Sequence, residues 1–390
     1  MWVLTYLLII VTTIFFIPGN VPDVFWAPKE MMFMLFGFSL IASAWMGKGN
    51  KRVVYKNLWA GLLLMFTAMG FCWFYFKPLV LPEKIVYLSA WNVRPTINVI
   101  LGLFLIQTLV ENTDSLGRWV SVSKVLCWTA FGIAVFALLQ YVGLDQVFGA
   151  SELIFTNNWG LRKEKMLTFL SNKFLTACFL ASIAPLCLMF KGVWYKIIYG
   201  TCFLVICLAD VTTAFVAFIL SFVAYLALRK RYLWTGILVT MGIVGVVILA
   251  EYNPDFLKSS GRFPLWKEVI ADVYKSKLVY LGTGLGSFAN RYSIGQLKAY
   301  SAHNEYVQFF KEGGLLLLVI FIGYICSLIK RSYQYLKRND SVLFVCYLCS
   351  LISYLFICTN GFSLRIAPLA VIGILYISSL EAQIQGEGLI

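Results

Sequence analysis

The sequence predicts an all-α, polytopic membrane bundle of about twelve transmembrane helices. Three observations carry this. Of 390 residues, 61% are hydrophobic and 13% are charged, about half the charged share of an ordinary soluble domain. The apolar residues come in long runs rather than on alternating faces. Most of the basic residues behind the formal charge of +14 sit at the ends of those runs, where they serve as topology signals rather than as a nucleic-acid surface. One bundle over residues 1–390 is expected, with the interval 251–303 as its large loop.

The first apolar run, about Trp2–Ile17, opens without a basic leader or a small-residue cleavage site and is expected to be a retained span. Further spans are expected near Met31–Met46, Leu58–Phe76, Thr96–Val110, Val122–Tyr141 and Phe174–Phe190. The next three end near Ala209, at Arg229-Lys230-Arg231 and near Ala250. The last three lie near Leu315–Ile329, Val342–Cys358 and Ile366–Leu380, with Lys330–Arg338 as a basic link after the first of them. The ten cysteines lie inside or at the edges of these runs and read as small core residues rather than a disulfide framework or metal site.

An even number of spans puts both termini on one side. The links carrying Lys48/Lys51/Arg52/Lys56, Arg118/Lys124, Lys191/Lys196, Arg229–Arg231 and Lys330–Arg338 all fall on that side, which marks it as cytoplasmic. The loops Gly143–Asn172 and Glu251–Ser301 and the turn Thr359–Arg365 then lie outside. They carry Arg162, Lys163, Lys165, Arg262, Arg291, Lys298 and Arg365 against the positive-inside trend. Binding an anionic ligand at the outer face accounts for positive charge placed there.

The long outer loop holds the only histidine, His303. From Arg262, with Pro264 in the first turn, Leu265, Trp266, Val269, Ile270, Val273 and Tyr274 recur at helical spacing. This amphipathic helix suits the membrane interface or a cap on the bundle. Gly282-Thr283-Gly284-Leu285-Gly286 does not follow a strand in the dinucleotide pattern and predicts tight turning or close backbone approach. A second helix is expected to start near Ser301, as N-cap, with His303 in or beside its first turn. A helix N-terminus lowers a histidine's pKa, and a neutral imidazole among uncompensated arginines suits a general base.

At these residues the chain resembles the superfamily of O-antigen ligases and Wzy-type O-antigen polymerases, bacterial envelope glycosyltransferases. Gly261-Arg262 to Trp266, followed by Leu281-Gly282-Thr283-Gly284-Leu285-Gly286-Ser287-Phe288, is similar to the family's Gly-Arg and glycine pattern, without the family proline near Val279-Tyr280. Ala302-His303-Asn304 through Glu312-Gly313-Gly314 resembles its His-Asn…Glu-x-Gly signature. Thr168-Phe169-Leu170-Ser171-Asn172 is similar to the family stretch leading into a span, with Phe174 in place of a second asparagine. One departure is Thr212-Thr213-Ala214, where members often carry Ser-Arg-Gly.

The resemblance implies a metal-independent, cofactor-free transfer at the periplasmic face of the bacterial inner membrane. The donor would be an undecaprenyl-pyrophosphate-linked glycan. The acceptor would be a hydroxyl of lipid A–core (ligase) or of a second lipid-linked glycan (polymerase). Arg262 would hold the pyrophosphate and His303 would take the acceptor's proton. Arg162, Arg291, Lys298 and Arg365 are further candidates for binding pyrophosphate or sugar. Asn304 and Glu305 either orient the histidine, bind sugar or simply begin the helix. A lipid-linked-sugar transporter is the contrasting expectation, but no internal repeat is evident and the spans read as nearly free of charge.

Overall fold

The computed structural model describes residues 2–14, 26–47, 90–112, 116–144, 168, 170, 172–241, 262–275, 279–284, 288, 292–294, 297–299, 302–361 and 364–386. The expected span at Leu58–Phe76, the end of the ninth span and most of the loop 143–172 lie outside these residues. The described helices are α1 (Trp2–Ile14), α2 (Trp26–Gly47), α3 (Ala90–Glu111), α4 (Leu116–Tyr141), α5 (Lys173–Cys187), α6 (Val193–Ala209) and α7 (Thr212–Leu228). They continue with α8 (Tyr232–Met241), α9 (Arg262–Lys275), α10 (Glu305–Arg338), α11 (Val342–Ile357) and α12 (Ala367–Gly386). Among the described residues the fold is helical apart from a small hairpin in the long loop, β1 (Tyr292–Ile294) with β2 (Leu297–Ala299), in the antiparallel register Tyr292↔Ala299.

Among the described residues, three helices, α4, α10 and α12, are long and apolar enough to cross a membrane, as expected of a helical membrane protein. The chain also has shorter apolar helices, among them α5, α6, α7 and α11. Large apolar side chains such as Phe38, Trp128, Leu204, Phe215 and Val319 point outward from these helices. Water penalises such a surface, whereas lipid does not.

The centre of the bundle is α5, α11 and α12. From Leu175 to Cys187 every residue of α5 is buried, as is the run Ala367–Glu381 of α12. A helix apolar on all sides belongs in the middle, and the small residues of α5 (Ala177, Cys178, Ala181, Ser182, Ala184) let its neighbours approach closely. Polar groups there bond across helices: Ser353 Oγ donates to the Ala181 carbonyl at 3.1 Å and Tyr376 Oη to the Ser182 carbonyl at 2.8 Å.

α10 differs from the sequence expectation in two ways. It runs on through Lys330–Arg338, so the expected basic link is the helix's own last turns. It is also broken at Gly314, where φ is +68° and ψ is −171°. The spans are not free of charge either. Fully buried Glu305, Lys311 and Glu312 lie on α10, and Arg331 of α10 makes a two-pronged pair with Glu381 of α12 at 2.6 and 2.7 Å. Composition hides these charges because each is matched by a partner on another segment.

Candidate active site at one end of the bundle

The site gathers where α5, α9, α10 and α12 begin and α11 ends. α10 is docked to the end of α11 by the Glu305 N–H on the Cys358 carbonyl at 2.9 Å and by Tyr306 Oη on the Leu355 carbonyl at 3.0 Å. α9 presents Leu265, Val269 and Val273 inward, half of the apolar set the periodicity picked out, and leaves Ile270 and Tyr274 exposed. Leu265 and Val269 pack with Phe288 and Ala302 into a small core under the loop, flanked by Trp266 and Val307. An ion pair from buried Lys311 to Asp272 ties α9 to α10.

The glycine-rich stretch is a splint for the break in α10. A break leaves backbone groups without intrahelical partners. Here Thr283 and Gly284 donate their N–H groups to the carbonyls of Lys311 and Glu312 at 2.9 and 2.8 Å. Val279 and Tyr280 accept from the N–H groups of Leu315 and Leu316 at 2.7 and 3.3 Å. The two backbones come so close that a Cβ on Gly282 would lie 2.4 Å from the Gly314 nitrogen, and one on Gly314 would lie 2.3 Å from the Tyr280 carbonyl. Both glycines also have φ of +68°. Close backbone approach is therefore what these glycines provide. Gly314→Ala is expected to lower the thermal midpoint by several degrees, read by a melting curve of the detergent-solubilised chain, since strain and clash add at one position.

His303 sits just outside α10, not in its first turn. The N-cap is Asn304, whose Oδ1 accepts from Tyr306 N at 3.0 Å and Val307 N at 3.1 Å. The expected cap, Ser301, lies outside the described residues. His303 itself is half-buried and takes the left-handed conformation, φ +49°. Burial, helped by the positive charge of Arg262, lowers its pKa from the usual value of about 6.5 to about 4. The direction agrees with the one expected from the sequence, but its causes are burial and a cation rather than a helix terminus.

Arg262 is anchored without being used up. Its Nη1 donates to the carbonyl and the side-chain Oδ1 of Asn360, at 3.0 and 3.2 Å, and its guanidinium lies 5.8 Å from the centre of the Phe174 ring. Burial lowers its pKa somewhat, and an arginine stays charged under such a shift. One nitrogen is thus held while the rest of a planar donor group stays within electrostatic range of His303. Phe174, which stands where the resembling family has an asparagine, supplies the ring under that cation.

Arg365 is at the same end but departs from the expectation of a substrate-binding cation. It is 5% exposed, with Nε on Glu305 Oε2 at 3.2 Å and Nη2 on Glu312 Oε2 at 2.8 Å. Glu305 Oε1 also accepts from the Leu364 N–H at 3.0 Å, so this carboxylate is neither sugar-facing nor a plain helix-start residue. Asn304, 8% exposed, has its Oδ1 engaged in the cap. Arg162 and Arg291 lie outside the described residues, and Lys298 is described only as a backbone position in β2. Sequence reasoning missed Asn360, Phe174 and a buried lysine, Lys29, which lines a narrow cleft with Leu170, Leu175, Ile366 and Pro368. Nothing in the spacing of Lys29 separates it from the topology lysines.

Comparison with models of protein families, with curated proteins and with solved structures finds no match. The chemistry of the site therefore rests on its own geometry. It sets His303, whose pKa burial and the charge of Arg262 lower, at the same end of the bundle as a fixed, partly available cation. That arrangement suits attack by a hydroxyl on a centre whose leaving group carries negative charge.

Proposed function

We propose that the chain is a glycosyltransferase that moves a glycan from an undecaprenyl-pyrophosphate carrier to a sugar hydroxyl at the periplasmic face of the bacterial inner membrane. The observation that carries this reading is the pairing of neutral His303 with Arg262 at one end of an apolar helical bundle. His303 takes the proton of the acceptor hydroxyl as its oxygen attacks the anomeric carbon. Arg262 stabilises the negative charge that develops on the departing pyrophosphate. The resemblance of Gly261-Arg262 and Ala302-His303-Asn304 to the O-antigen ligase and polymerase superfamily supports the assignment, with ligation to lipid A–core as the preferred acceptor reaction. In this reading the chain crosses the membrane about twelve times, with both termini cytoplasmic and the loop 251–303 periplasmic, on the basic links and apolar runs of the sequence.

The experiment is complementation of a host lacking its own ligase or polymerase, read on lipopolysaccharide gels. Arg262→Ala, expressed at wild-type level, is expected to lose attached polymer. In the wild type, restoring all polymer to a ligase-deficient host identifies a ligase, and extending single repeats to long chains in a polymerase-deficient host identifies a polymerase. Full polymer from the Arg262→Ala protein overturns the assignment of this arginine.

A further inference from the structure

We infer that Trp266 and Gln308 are positioning residues that clamp Ala302, the residue before His303, by both its backbone groups and so hold the imidazole in place. The Ala302 carbonyl accepts from Trp266 Nε1 at 2.7 Å, and the Ala302 N–H donates to Gln308 Oε1 at 3.1 Å. Both backbone groups of one residue are therefore tied to side chains, one from α9 and one from α10. The clamp has a rigid backing. Gln308 Nε2 donates to Glu312 Oε1 at 3.0 Å, and Glu312 is held in turn by Arg365. Gln308 and Glu312 are one turn apart on α10, so the amide is fixed between Ala302 and the carboxylate, and its orientation is set by that donor.

Such a device is needed because His303 is a non-glycine residue at φ +49°. A histidine left to itself favours the right-handed or extended regions, and a left-handed backbone persists only where its surroundings over-determine it. On the far side, the Asn304 cap fixes the start of α10. His303 is thus held between two anchored neighbours. Its ring stays half-buried, within range of the charge of Arg262, not in solvent. A displacement of about 1 Å at a reacting group is enough to cost roughly 100-fold in rate, so holding the ring is part of the chemistry. The role of His303 in transfer rests on the proposed function, whereas the clamp is a statement about conformation alone.

Because His303 is the only histidine, its imidazole signal in the full-length protein reports the site without ambiguity. The test is an NMR titration of the histidine-labelled chain in lipid nanodiscs, purified without a histidine tag. It compares wild type, Trp266→Phe and Gln308→Met, with a melting curve for each. Trp266→Phe removes the Nε1 donor and keeps a ring, and Gln308→Met keeps the length of the side chain. The expected result is a wild-type midpoint near 4 and variant midpoints that rise toward about 6.5 as the ring gains solvent, in proteins that still melt cooperatively. Turnover of a lipid-linked glycan should fall at least about tenfold in the variants, with KM changed by less than about twofold. Variant midpoints equal to wild type overturn the inference, as does a wild-type midpoint already near 6.5. Should Gln308→Met not fold, Trp266→Phe decides alone. A wild type that titrates as expected but transfers no glycan sinks the transfer reading and leaves the clamp standing.

Discussion

Replacing His303 with alanine is expected to reduce glycan transfer by about 10²- to 10⁴-fold while the protein folds normally, the usual loss when a positioned proton acceptor is removed. The pH dependence gives a sharper measurement. A general base works only when unprotonated, so the acid limb of the rate profile follows its pKa. Burial and Arg262 place that value at about 4 rather than about 6.5. Wild-type transfer is therefore expected to hold its rate from pH 7 down to about 5 and to fall only near 4. An acid limb at 6.5 sinks the assignment, and so does an alanine variant that retains full rate. The same shift has a consequence for stability. Below about pH 6.5 the unfolded chain binds a proton on this histidine that the folded chain refuses. The stability contributed by the neutral ring is fully present above 6.5 and is lost as pH falls toward 4, by at most about 3 kcal/mol. His303→Ala should flatten that part of the stability–pH curve.

Arg365→Ala is expected to destabilise the fold by about 3–5 kcal/mol, the usual cost of removing one partner from a buried ionic group. Glu305 and Glu312 are both fully buried, and Arg365 touches both. Without the guanidinium, two like charges face each other out of water. The measurement is thermal unfolding in detergent. A triple variant, Arg365→Ala with Glu305→Gln and Glu312→Gln, should recover much of the loss, because amides need no counter-charge. A single variant that melts with the wild type, or a triple variant no better than the single, overturns the account of this cluster. The prediction also separates Arg365 from Arg262. Loss of Arg262 removes a cation only half-buried and should change transfer far more than stability.

Part of this architecture is legible in the sequence. The bundle class followed from apolar runs and terminal basic clusters, since only helices satisfy their own backbone groups in hydrocarbon. The amphipathic pattern of α9 included Leu265, Val269 and Val273, which turn inward, but also Ile270 and Tyr274, which do not. The glycines of the 282–286 stretch were read as sites of close backbone approach, and at Gly282 that is what they provide. His303 and Arg262 were singled out because one is unique and the other carries charge where topology does not ask for it.

Pairing across the sequence was not legible. Arg365 looked like a free outer cation because its two carboxylates lie 60 and 53 residues away. Asn360 is separated from Arg262 by 98 residues and gave no local sign of holding it. Asn304 rather than Ser301 caps α10, a choice both residue types allow and only the chain path makes. Local pattern alone determined the membrane class, part of the inward face of α9 and the choice of candidate reactive residues, because hydrophobic period, backbone freedom and residue chemistry are properties of short segments. Tertiary structure decided which charges neutralise one another, where α10 breaks and how the residue before His303 is gripped. Those depend on distances between segments far apart in the chain, and only folding brings them within reach of a hydrogen bond.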